Sequence, residues 1–484
     1  MLEVPLYRSF GTSGLVLIPL AAGVASALIV YGFLLRHAPK FALLGACAFA
    51  CATPVLIYSA VFWDHTLVIA LAIGAAALGV AGLESGAMIS MAAAGFLAGI
   101  GLWFRNEMYP YALAFLVAWW LTTAGRSRTR GTVAFLAGLG GAAGPLWALN
   151  ARLVGNILGW KGEGVAQARI EGTVQALTGQ STIAWISDKL GNAYFQLVSP
   201  NYYAFDSRSV TWGLALAALL VAASVLLRIG VTRRSERALA VGTVLGLLGG
   251  MIIAASRTNV SGLLPSMPLV VLAGLPGSLS RWERFLWILA SVFTAEILVM
   301  GTHGGLQWGP RYLLPIFPIL VILAVAALQR AKSLRPGIWP ALRLSAGALV
   351  VVSALVQASG VDQVAEAIAR NSRINALVRS TPSTIVVTPL QWLTLGAGPL
   401  YFEKTLMRVD TPADLRALVA RLAEKKVSRW TYIPLSGPFF RPEGIERESA
   451  MYSWRFRVSE DRTVDGIRFV IFAADEGMKG HRPR

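Results

Sequence analysis

From residue 14 to residue 357 the chain is written in apolar blocks separated by short polar or basic connectors. Crossing a bilayer as a helix takes roughly 20 apolar residues. Blocks of that kind lie near 14–35, 41–61, 66–82, 87–104, 109–125, 131–150, 209–228, 238–256, 262–279, 285–301, 312–329 and 338–357, which predicts twelve spans. Many are rich in Gly and Ala, the residues that let helices approach closely in lipid. Between 151 and 208 the blocks stop. The stretch QARIEGTVQALTGQSTIAWISDKLGNAYFQ has apolar positions at helical spacing and leads into SPNYYAFD. It predicts one or two amphipathic helices lying along a membrane surface. Trp160 and Tyr202–Tyr203 suit that interface.

Near Gly360 the pattern changes to that of a soluble α/β segment. Asp362–Arg379 has helical period, Ser383–Thr388 (STIVVT) reads as a buried strand, and Thr405–Val409 as a second. Thr411-Pro412-Ala413-Asp414 has the order of an N-cap, an N1 proline and an acidic N3, opening a helix to about Lys425. Arg429–Pro434 and stretches near 452–458 and 466–473 supply further strands. The expected layout is a membrane core over 14–357, carrying the surface segment 151–208, and a small α/β domain over 358–484. That domain shows no Gly-rich phosphate loop, no Ser/His/Asp triad spacing and no metal-ligand cluster, and the chain shows no internal repeat.

Composition confirms the class. A mean hydropathy of +0.60, with 55% hydrophobic and 14% charged residues over 484 positions, belongs to a polytopic membrane protein. The net charge of +18 would point to nucleic acid in a soluble chain, but here no nucleic-acid partner is expected, because the basic residues collect in short loops. Arg36 and Lys40; Arg126, Arg128 and Arg130; Arg228, Arg233, Arg234 and Arg237; Arg281 and Arg284; Arg330, Lys332 and Arg335 occupy alternate connectors. The intervening short loops hold Arg105, Arg257 and Arg311, a split of fourteen to three. The basic set is therefore expected on the cytoplasmic side. Asp64–His65, Arg105–Glu107, the 151–208 segment, Arg257, Arg311 and the C-terminal domain then fall outside. Residues 1–13 fall outside too, and with nothing in MLEVPLYRSF resembling a signal, a further spanning helix is expected upstream. Cys47 and Cys51 read as small lipid- or core-facing residues.

Three connectors carry chemistry. Ionisable groups near hydrocarbon are costly and default to a functional role. In Phe62-Trp63-Asp64-His65, Asp64 is a general base, a ligand holder or an N-cap for the run that begins at Thr66, and His65 is a side chain able to titrate near neutrality. In GLWFRNEMYP, Arg105 and Glu107 either pair locally or present a guanidinium, whose fork matches a phosphate. In Trp308-Gly309-Pro310-Arg311-Tyr312, a glycine and two prolines further on shape the chain around Arg311, which is a phosphate ligand or an interfacial anchor. Arg257 is a weaker phosphate candidate, and His303 reads as structural. No residue pattern asks for a metal or a cofactor.

The succession TPVLIYSAVFWDHTLVIALAIG, LAGIGLWFRNEMYPYALAFLVAWW and QWGPRYLLPIFPILVILAVAAL resembles the GT-C superfamily of integral-membrane glycosyltransferases, over roughly residues 1–335. It is similar to the mannosyltransferase/arabinosyltransferase-like branch that uses polyprenyl-phosphate sugars. The resemblance implies a helical core with an extracytoplasmic C-terminal domain, and a lipid-linked sugar donor. It also implies a lipid, glycan or protein acceptor and a place in the plasma (inner) membrane. Arg105, Arg311 and Arg257 would then hold donor phosphate. His65, Tyr312 and Trp308 would orient the acceptor, with Asp64 and Glu107 the candidate catalytic acids. Family members carry a catalytic acid in a first extracytoplasmic loop. This chain opens at PLYRSF, similar to the tail of that loop, and its only acid there is Glu3, so the acid is expected upstream of Met1 or absent. The alternatives are a non-enzymatic lipid or polymer transporter and an inactive homologue; transporters commonly show paired repeats and matched broken helices.

Overall fold

The structure, a computed structural model, describes residues 8–10, 12–61, 63–159, 182–199, 207–256, 260–300, 308–390, 393, 400, 403–434, 445–446, 455–464 and 467–475. The chain divides into two units, Met1–Gln363 and Val364–Arg484. In the first, the apolar blocks are helices, because a helix satisfies its backbone groups internally where no water is available. In order they are α1 (Thr12–His37), α2 (Ala42–Cys51), α3 (Val55–Ser59), α4 (His65–Ser85), α5 (Met88–Leu102), α6 (Met108–Thr122) and α7 (Gly125–Val154). There follow α8 (Thr182–Leu197), α9 (Ser207–Arg233), α10 (Glu236–Ser256), α11 (Leu263–Ser266), α12 (Arg281–Met300), α13 (Phe317–Leu334) and α14 (Trp339–Ser380). Among the described residues seven helices are long and apolar enough to cross a membrane, and α5 and α6 are shorter apolar helices of 15 residues each. The protein is a multi-pass helical membrane protein.

Two of the twelve expected spans are broken, each at prolines. The block 41–61 stops at Cys51 and restarts at Val55. Pro54 has no N–H to continue the ladder, and the Thr53 hydroxyl bridges the gap, donating to Phe49 O at 2.7 Å and accepting from Val55 N at 3.3 Å. The block 262–279 holds Pro265, Pro268 and Pro276, and forms α11 followed by a 3-10 helix over Pro268–Gly274. Its freed backbone groups are met by neighbouring helices. Ser353 Oγ accepts from Leu269 N at 2.9 Å, Gln357 Nε2 donates to Ser266 O at 2.6 Å, and Ser224 Oγ donates to Val271 O at 3.1 Å. Irregular backbone at membrane depth is tolerated on that condition.

Elsewhere small residues set the spacing. α5 and α7 touch backbone to backbone: a methyl on Gly95 would strike Phe135 O, and one on Gly138 would strike Ala92 O. This is the small-residue packing that replaces the hydrophobic effect inside lipid. α13 is the most enclosed span, with Ile319, Val321, Ile322, Leu323 and Ala327 all buried in the core. The expected helices at 338–357 and 362–379 are one helix, α14, of 42 residues. No proline or cap separates them, and Gly360 leaves room for Trp308 and Ile57 against it.

In the surface segment, α8 realises an amphipathic helix, while α7 runs on to Val154, beyond the expected end. Trp160, Tyr202 and Tyr203 lie outside the described residues.

The second unit holds a five-stranded sheet of β1 (Ile385–Thr388), β2 (Thr405–Arg408), β3 (Arg429–Tyr432), β4 (Phe456–Val464) and β5 (Ile467–Ala474), in the order β2-β1-β3-β5-β4. β1 pairs parallel with β2 and β3, whereas β5 pairs antiparallel with β3 and β4. Between β2 and β3 runs α15 (Pro412–Glu424), opened by the expected capping box: Thr411 Oγ1 accepts from Asp414 N and Asp414 Oδ2 accepts from Thr411 N. One sheet face packs Trp430, Tyr432 and Phe472 with Leu415, Val419 and Leu422 of α15. The other packs Val386 and Phe469 with Ile374 and Val378.

Candidate active site

Three connectors that the charge pattern assigned to one side of the membrane meet in space: the α3–α4 turn, the α5–α6 turn and the segment entering α13. Arg105 is the centre of the first two. Its Nε and Nη2 donate to Glu107 Oε1 at 2.9 and 2.5 Å, and its Nη1 donates to Asp64 Oδ1 at 3.0 Å across 41 residues. Nη1 also lies 3.3 Å from His65 Nε2. Burial opposes the charge on Arg105, but the pull and hydrogen bond of Glu107, then of Asp64, override it and raise the guanidinium pKa above its ordinary value. Arg105 stays charged. Glu107 is buried, whereas the Asp64 side chain keeps 34% of its exposure. Asp64 precedes α4 as its cap residue but makes no side-chain cap bond, so its carboxylate is spent on Arg105 rather than on the helix end.

Arg311 stands differently. It opens a 3-10 helix over Arg311–Ile316, where Pro315 sits in the first turns. Its guanidinium lies over the Trp63 ring at 5.7 Å and the Tyr312 ring at 4.8 Å, and Nη2 donates to Tyr312 Oη at 2.8 Å. Its Nε is buried with no hydrogen-bond partner, and among the described residues no carboxylate pairs with it. Tyr58, Trp63 and His65 form an aromatic cluster with centroids 4.8–5.8 Å apart, which ties the end of α3 to the start of α4.

The segment ahead of Arg311 is fixed by contacts. Gly309 adopts φ 71°, a left-handed conformation suited to glycine, and donates to Val260 O at 2.6 Å. Trp308 is buried, its Nε1 donating to Gln357 Oε1 at 3.0 Å. Of the residues expected to orient an acceptor, Trp308 and His65 are thus enclosed and brace the site, while Tyr312 is half-buried beside Arg311. Arg257, His303 and Glu3 lie outside the described residues. Among those described, no group of three or more His, Cys, Asp or Glu side chains is arranged to hold a metal ion.

Connectors of the basic set next to Arg36, Thr122, Arg281 and Gln329 meet at or near the other end of α4. Arg36 pairs with Glu84 at 2.8 Å, Arg281 Nε donates to Thr122 O at 2.9 Å, and Gln329 Nε2 donates to His37 O at 3.3 Å. Sequence reasoning missed the Asp64–Arg105 bond and the enclosed Tyr58. Only the opposite signs of Asp64 and Arg105 in neighbouring loops on one side hinted at the first.

Chemically, the site offers a carboxylate held through one oxygen, a buried carboxylate, and an aromatic-bedded cation with donors to spare. No family model matches the chain, and no curated protein matches it. Among solved structures, the chain is similar to the crystal structure of ArnT from Cupriavidus metallidurans in the apo state. The alignment covers 97% of this chain and 86% of that one, at 14% identity and a TM-score of 0.45. A likeness of that closeness fixes neither family nor activity for this protein.

Proposed function

We propose that this protein is a membrane glycosyltransferase of the GT-C type. It moves a sugar from a polyprenyl-phosphate donor to a lipid, glycan or protein acceptor at the outer face of the plasma (inner) membrane, with the C-terminal domain on that side. The observation that carries the reading is Arg311: a half-buried cation without an acidic partner among the described residues, lying against the rings of Tyr312 and of Trp63, the residue next to the paired carboxylate Asp64. A guanidinium bedded on aromatic rings and left unneutralised is suited to a phosphate anion.

Asp64 is the proposed base. Arg105 holds its Oδ1, and Oδ2 has no hydrogen-bond partner among the described residues. The acceptor oxygen attacks the anomeric carbon as Asp64 takes its proton. The bond from that carbon to the phosphate oxygen breaks with its electron pair going to phosphate, releasing polyprenyl phosphate. That phosphate gains a negative charge in the step, so a fixed cation at Arg311 lowers the barrier. Arg105 was expected on the phosphate as well. With three of its nitrogens already facing Glu107 and Asp64, its role here is to orient the base, and Glu107 anchors Arg105.

The test is transfer in proteoliposomes supplied with radiolabelled polyprenyl-phosphate sugars and candidate acceptors, read as release of polyprenyl phosphate. The wild type should release it and Arg311→Ala should not, while both remain monodisperse in detergent. Full release by Arg311→Ala would remove the phosphate role. Sugar-lipid crossing the bilayer with its sugar–phosphate bond intact would favour a transporter.

A further inference from the structure

Glu296 is an ionisable side chain that the mechanism above does not use, and it lies in α12, the helix that forms the expected span 285–301. It sits in the last turns of α12, half-buried, with Oε2 closed off from solvent and without a hydrogen-bond partner. Its position is doubly unfavourable. A carboxylate is costly at membrane depth, and the C-terminal end of a helix dipole repels negative charge.

Its depth follows from packing. Phe293 meets the Tyr111 ring at 5.8 Å, and Phe285 meets Phe115 at 5.2 Å, so α12 and α6 run antiparallel. Glu296 is one turn outward of Phe293. Glu107 is one turn outward of Tyr111, whose N–H it receives on its carbonyl at 3.1 Å. The two acids therefore lie at about the same depth on adjacent helices.

The amphipathic helix α8 crosses that turn. Asn192, fully buried, donates through Nδ2 to Leu298 O at 2.7 Å and to Ile297 O at 3.3 Å, while its Oδ1 has no partner. Two turns earlier on the same face of α8, the Trp185 Nε1 donor is likewise buried and unpartnered. Buried polar atoms left without partners are rare and need an explanation. Two acceptors thus stand unmet where α8 meets the last turn of α12, and a donor stands unmet two turns along the same face of α8.

We propose that the inward face of α8 and the last turn of α12 form a subsite for sugar hydroxyls, with Glu296 Oε2 and Asn192 Oδ1 as acceptors and Trp185 Nε1 as donor. A sugar hydroxyl both donates and accepts, so acceptors at the α8–α12 contact and a donor further along the same face of α8 suit a sugar. The inference rests on the proposed transfer from a lipid-linked sugar and names where that sugar is read.

Two probes separate the parts: farnesyl phosphate, which has no sugar, and a farnesyl-phosphate-linked hexose, both titrated against the full-length protein in nanodiscs. Glu296→Ala should bind the sugar-bearing probe at least tenfold more weakly and the bare phosphate as wild type does. Arg311→Ala should weaken both. Glu296→Gln retains shape and should melt at or above the wild-type temperature without ligand, since it removes an uncompensated carboxylate, yet bind the sugar probe more weakly. Equal sugar binding by Glu296→Ala, or a lower melting temperature for Glu296→Gln, overturns the subsite while leaving the Arg311 reading standing. Failure of wild type to bind either probe overturns both.

Discussion

Arg105 and Arg311 stand at equivalent places in the sequence pattern, each an isolated cation between apolar blocks. The structure gives them opposite surroundings. Arg105 is saturated by two carboxylates drawn from different turns, whereas Arg311 lies against Trp63 and Tyr312 with a buried Nε left over. An arginine whose donors are spent inside the protein holds the protein together at that point. One whose charge is sheltered but uncompensated is prepared for something from outside. Charge and position alone do not separate the two roles; the partner count does.

Substitution at the two positions should pull activity and stability apart. The largest effect is expected for Arg311→Ala, a fall in transfer rate of about a thousandfold, the scale of a lost charge-stabilising donor, with little change in melting temperature. A large loss of stability there would erase the contrast. Next, Asp64→Asn should lower kcat by about a hundredfold with KM nearly unchanged, as for a lost general base. A raised KM with kcat intact would move Asp64 from chemistry to binding. Arg105→Ala, unlike Arg311→Ala, should cost about 3 kcal/mol of stability, because it strands Glu107 in a buried site, with the partial exposure of Asp64 keeping the figure at the low end; transfer should fall as well, since Asp64 loses the partner that orients it. Thermal melts in detergent would read the stability cost, and Arg105→Lys should recover part of the loss. Smallest of all, Thr411→Ala should lower stability of the α/β unit by a modest amount through loss of its cap, leaving transfer from lipid-linked donors unchanged.

What the sequence disclosed follows the range of the interactions involved. The capping box at Thr411–Asp414 is local, and its four residues predict both the start and the bonds of α15. The strands β1 to β3 were visible because each is a short apolar run between breakers. The apolar blocks were visible as well, but hydropathy counts only how greasy a segment is, so the blocks at 41–61 and 262–279 read as continuous. What breaks them is Pro54, Pro265 and Pro268, and what makes the second break tolerable is Ser353 and Gln357 on α14, far along the chain. Likewise the sign of Arg105 and Asp64 was plain, and their sharing of one side followed from the arginine count. Their bond joins residues 41 apart and depends on how α4, α5 and α6 pack.

The hairpin of α5 and α6 has a consequence for the bilayer itself. At 15 residues each, these helices rise about 22 Å, against a hydrocarbon slab of about 30 Å. The mismatch is met by local thinning of the membrane or by sinking of the Arg105 turn beneath its surroundings. Either way, the polar boundary dips toward the midplane beside this hairpin. On the proposed reading, a lipid phosphate sliding along the leaflet would meet Arg311 at its own level, and the chain it carries would stay in hydrocarbon as it arrives.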